Sequence, residues 1–161
     1  KASYMMVTGI DPGKTGAVAT IDTESKELTV SPLQTDSLED LRSQLSLLCE
    51  PSPLIYIEDV GRGMPGNSSS SMTVFARHNG HLDAFLAVYC DPELLTYVRP
   101  VKWMDGVLTG VRPKGRTARD ARKRFILAEM ESLWRRSFSL STADAVAIAT
   151  YGLKEWKKLQ Q

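Results

Sequence analysis

The chain has 161 residues, 42% apolar and 24% charged, with a formal net charge of +1. That length suits a single domain over residues 1–161 that buries its own core, and the near-neutral balance means that any nucleic-acid surface must come from local clustering. Cys49 and Cys90, far apart and without a CxxC, argue against a disulfide scaffold or structural zinc and for a reducing compartment, and no apolar run approaches the roughly 18 residues of a membrane span.

In chain order, "YMMVTGI" (Tyr4–Ile10), "GAVATID" (Gly16–Asp22) and "ELTVS" (Glu27–Ser31) read as three strands. Pro12, Gly13 and Gly16, then "DTESK", supply the turns of an antiparallel meander. Ser37 is a candidate N-cap for a helix carrying Leu38, Leu41, Leu45 and Leu48 at helical spacing. "LIYIEDV" (Leu54–Val60) is a short apolar strand ending in two acids, and "GRGMPGNSSSS" (Gly61–Ser71) is a loop. Met72–Cys90 reads as a long helix, with Ser71 as a cap and Gly80 as a soft spot. "LLTYVRP" is a strand, and "VKWMDGVLTG" a short helix ending at Gly110. A basic loop then runs into a helix with Thr117 as a candidate cap, and Ser141 or Thr142 opens a last helix. The order predicts an α/β layered domain with a mixed sheet. The chain opens on Lys1-Ala2-Ser3 without a methionine, which is consistent with a removed targeting segment.

The stretch "MVTGIDPGKTGAVATID" invites two readings. A phosphate-binding P-loop needs a glycine, four intervening residues and then Gly-Lys-Ser/Thr; counted back from Gly13 that glycine belongs at Thr8, and the actual Gly9 is one residue too close. It must also open a helix, whereas "GAVATID" is a β-branched strand pattern. The other reading takes Asp11 as a metal-binding carboxylate at a strand end. Glu58 ends a second strand, and Asp144 lies in the first turn of the last helix. Each has a plain structural role open to it: turn residue, solvated strand end, complement to a helix dipole. Together, three carboxylates from three elements suit Mg²⁺, which prefers hard oxygen ligands. Two such ions can activate a water and stabilise the departing oxygen of a phosphodiester.

These motifs resemble the RuvC-type Holliday-junction resolvases of the ribonuclease-H-like superfamily. "GIDPGKTGAVATID" is similar to their first strand pair, "IYIEDV" to their second acidic strand, "VRPVKWMDGVLTG" to their Val-Lys segment and "STADAVAIATYG" to their acidic C-terminal helix. The resemblance covers nearly the whole chain in the right order. The Pro100–Trp103 segment and the final "YG" also look like plastid and phage members. Actin-like and sugar-kinase chains share "GIDxGxT" but are usually longer and two-lobed.

The resemblance implies a ribonuclease-H-like fold, with a mixed five-stranded sheet flanked by helices. It implies a homodimeric endonuclease that makes symmetric nicks in four-way DNA junctions with Mg²⁺ or Mn²⁺, two ions per site, and leaves 5′-phosphates. Asp11, Glu58 and Asp144 would be its catalytic metal ligands, with Lys102 near the scissile phosphate. The implied compartment is the cytoplasm of a bacterial or phage-infected cell, or a plastid or mitochondrial matrix. The family's fourth ligand falls three or four residues before the last acid, where this chain has Ser141 and Leu140. Asp59 could take its place, and a junction binder that does not cut is the alternative.

Seven cations, Arg112, Lys114, Arg116, Arg119, Arg122, Lys123 and Arg124, fall within thirteen positions against Asp120 alone. Such clustering suits DNA phosphates, although a solvated helix face would show the same pattern. In the loop, Arg62 has the reach to contact DNA and Met64 to wedge between bases. His78 and His81 are spaced for structural or surface roles, Trp103 and Trp134 for core or interface. The long helix Met72–Cys90 is the expected dimer contact.

Overall fold

The computed structural model describes residues 5–61 and 69–161. Five strands, β1 (Met6–Asp11), β2 (Ala17–Asp22), β3 (Leu28–Pro32), β4 (Leu54–Glu58) and β5 (Leu95–Val98), form one sheet in the order β3-β2-β1-β4-β5. The first three make the expected antiparallel meander, while β4 and β5 run parallel to β1. Gly13, at φ +116°, takes the turn between β1 and β2, a conformation that costs glycine little.

Strand alternation divides the apolar residues between two layers. Ile10, Val18, Ile55 and Ile57 meet Leu41 and Leu45 of α1 (Leu38–Leu48) and Leu82 and Leu86 of α2 (Ser69–Tyr89). Val7, Ala19, Ile21 and Tyr56 meet the other layer, formed by α3 (Pro100–Val107), α4 (Arg119–Trp134) and α5 (Ala143–Leu159). Every residue from Ala145 to Leu153 of α5 is buried. Its backbone reaches the sheet because Gly9 has no side chain: a Cβ there would overlap the backbone of Ala145 and Ala149.

Ser37 caps α1 as expected, accepting from the Asp40 N–H at 3.0 Å. Thr117 does not cap α4, which is preceded by a short 3-10 turn with Ala118 at the cap position. Nor does the short helix reach Gly110, since α3 ends at Val107. The expectation of two unpaired cysteines is corrected. Cys49 and Cys90 form a disulfide with Cα atoms 5.4 Å apart, although 41 positions separate them. Both sit just past the C-terminal ends of α1 and α2, which pack side by side, and such proximity is invisible to sequence spacing.

Candidate active site

The same alternation that sorts the core positions two of the acids. Asp11 shares the face of Val7 and Gly9, and Glu58 shares that of Tyr56; both faces turn toward α5. In the parallel register Ile10 pairs with Ile57, one residue before each acid. The two carboxylates therefore end adjacent strands at the same level. The close approach of α5 over Gly9 then brings Asp144, in its first turn, beside them. All three acids line one cavity of about 590 Å³.

Its electrostatics are those of anions held out of water. Burial raises the Asp11 carboxyl well above its ordinary range, and repulsion from Asp144 and Glu58 adds to this. Burial also pushes Glu58 up to about 7, opposed by a hydrogen bond from the Trp103 indole. Asp144 is raised by burial against the pull of Lys123, Arg122 and Arg119. Trp103 Nε1–H donates to Glu58 Oε2 at 2.8 Å. Lys123 Nζ lies 3.9 Å from Asp144 Oδ2, while Asp144 Oδ1 is buried without a hydrogen-bond partner among the described residues.

The donor set fits a divalent metal. It is anionic and oxygen-only, and the orphaned Asp144 Oδ1 leaves a buried lone pair for a cation. Among the described residues, no three His, Cys, Asp or Glu side chains close around one point as a finished ion cage. The acids line one cavity instead, so ions there would draw on water and substrate oxygens for further ligands.

The same cavity is lined by Arg112, Lys114, Arg119, Arg122 and Lys123. Arg112 is also paired with Asp105. Lys102 is exposed on α3 and does not line the cavity; the lysine facing the acids is Lys123. Arg62 and Met64 lie outside the described residues, as does the Arg116 side chain. Ser141 is exposed, its Oγ 3.0 Å from Ser139 Oγ. Asp59 lines a neighbouring cavity of about 410 Å³ with Phe75, Asp83 and Tyr97, on the α2 side of Glu58.

Of the two tryptophans expected in core or interface, Trp134 bonds Thr150. Trp103 is buried but also reaches the site, which its place in the sequence did not announce. The available signal was general: a buried indole N–H needs an acceptor.

The sheet order, the antiparallel meander leading into parallel strands and the helices on both faces are those of the ribonuclease-H-like fold, as the motifs implied. No family model and no curated protein matches the chain. Among solved structures it is similar to Thermus thermophilus RuvC in complex with a Holliday-junction substrate, with a TM-score of 0.65 at 12% identity over 96% of each chain. A second T. thermophilus RuvC structure gives a TM-score of 0.57 at 15% identity, covering 96% of this chain and 97% of that one. The chain thus has the RuvC fold.

Proposed function

We propose that this protein is a metal-dependent endonuclease that resolves four-way DNA junctions. One observation carries the reading: three partly buried carboxylates and a cluster of cations line the same cavity. Arg119, Arg122, Lys123 and Lys114 would hold a strand's phosphates by charge. Lys102, exposed on α3, would contact the flanking backbone. Asp11, Glu58 and Asp144 would hold Mg²⁺ or Mn²⁺, two ions per site. When bound, the metal supplies Lewis-acid activation of a water and charge neutralisation at the leaving oxygen. The chain's own residues would seat the scissile phosphate among the acids and cations of the cavity, and the resemblance implies that the cut leaves a 5′-phosphate. Paired nicks need two sites, and we assign a homodimer to the face of α2 that exposes Val74 and Val88.

Cleavage of a synthetic four-way junction, with Mg²⁺ and with EDTA and beside Asp11→Asn, tests this reading. Paired nicks near the crossover, lost in EDTA and in the variant, are expected. A second reading, a junction binder that does not cut, is favoured by Ser141, which offers no carboxylate where the resolvases carry a fourth ligand. Tight binding without nicks would select it, and Ser141→Asp would then separate a disabled nuclease from a dedicated binder.

A further inference from the structure

We propose that Trp103 is the positioning residue for Glu58: its indole N–H fixes one carboxylate oxygen so that the other stays presented to a divalent cation. This assignment rests on the metal-dependent reading above.

The sheet sets up the contact. Glu58 is paired with Val98 across β4 and β5. The chain turns into α3 after Arg99, and Trp103 sits in the first turns of that helix, 2% exposed. Neighbouring Met104 and Val107 are also buried, and α3 is pressed against α5 where Gly106 meets the Tyr151 ring. The indole therefore has little room to swing. At 2.8 Å its N–H donates to Glu58 Oε2, and among the described residues no other donor to this carboxylate is found.

The chemistry of the donor matters. A lysine or arginine in this place would neutralise Glu58 and compete with a metal for it. A serine would bring an acceptor as well as a donor. Indole is a donor only, neutral, rigid and unable to titrate. It orients the carboxylate, offsets part of its desolvation and leaves the negative charge available. Partners of this kind, one bond behind a ligand, typically change metal affinity by about 10–100-fold when removed.

The test uses the full chain, Mn²⁺ as the probe and ¹⁵N-labelled indoles. Trp103, Trp134 and Trp156 give three resonances, assigned by single Trp→Phe variants. In wild-type protein the Trp103 N–H signal is expected to move as Mg²⁺ is added, with the midpoint of metal binding, and to move again in Glu58→Gln. Trp103→Phe, which keeps an aromatic filler, is expected to weaken Mn²⁺ binding by about 10–100-fold, as read by electron paramagnetic resonance without DNA. Trp134→Phe is expected to leave that binding unchanged.

A folded Trp103→Phe with wild-type Mn²⁺ affinity would overturn the proposal. So would an indole signal indifferent to both metal and Glu58→Gln, a result that needs no Trp103 variant to fold. Wild-type protein that binds no Mn²⁺ would remove the metal-dependent reading itself, and is told apart from these outcomes because it appears before any substitution.

Discussion

At the residue scale, burial makes the three acids costly to ionise when no cation is present, and repulsion adds to this at Asp11 and Glu58. Glu58 has its carboxyl raised to about 7 from an ordinary 4.5, chiefly by burial. A carboxyl with a raised folded pKa binds protons more tightly in the folded state than in the unfolded one. Its protonated form therefore favours the fold at low pH, and that stability is lost as pH rises from about 4.5 through about 7. Asp11 and Asp144 shift in the same direction. In EDTA, thermal melts should show a lower Tm at pH 8 than at pH 5.5. Asp11→Asn should raise the Tm at pH 8 in EDTA while lowering cleavage by at least about 100-fold. A Tm that rises with pH in EDTA would contradict the upward shift of these carboxyls.

The cations divide at the same scale. Lys123 faces the acids and Lys102 does not. If Lys123 contacts phosphate, Lys123→Met should weaken junction binding and reduce the slope of log K against log salt by about 1. Binding curves at several salt concentrations measure this directly. An unchanged slope would confine Lys123 to the Asp144 ion pair.

At the element scale, the site depends on how closely α5 lies on β1. Gly9 is the contact point, and the atoms a Cβ would meet are backbone, which cannot rotate aside. Gly9→Ala should cost about 3 kcal/mol or more in urea unfolding and should also separate Asp144 from Asp11. By contrast, a Cβ at Gly80 meets nothing within 4 Å, so Gly80→Ala in the middle of α2 should stabilise by about 0.5–1 kcal/mol. That difference was not readable from sequence, where both are lone glycines in regular elements. What distinguishes them is a helix 140 positions away packed on one and open space beside the other.

For the whole molecule, α2 is the helix to which we assign the dimer contact. Val74 and Val88 are 51% and 75% exposed on it. If the proposed homodimer forms there, Val88→Asp should shift the native mass from twice the 17.8 kDa chain to a single chain. It should also convert paired nicks into single ones, read by light scattering and by a cruciform plasmid respectively. A wild-type chain that is monomeric at micromolar concentration would remove the α2 assignment.

Taken by itself, the sequence determined the kind and order of the elements: the meander, the capped α1, the short β4 and the acid at each critical end. Periodicity and turn chemistry are local, so hydrophobic alternation and the Ser37 cap could be read from a few neighbouring residues. Short apolar runs bounded by turn residues also place Asp11 and Glu58 at strand ends. Only the tertiary structure decided that β4 pairs beside β1, that α5 crosses Gly9, that Cys49 meets Cys90 and that Trp103 reaches Glu58. It also showed Lys123, rather than Lys102, facing the acids. These are contacts between residues tens of positions apart, governed by sheet register and by which helix face packs inward, and local spacing carries no information about either.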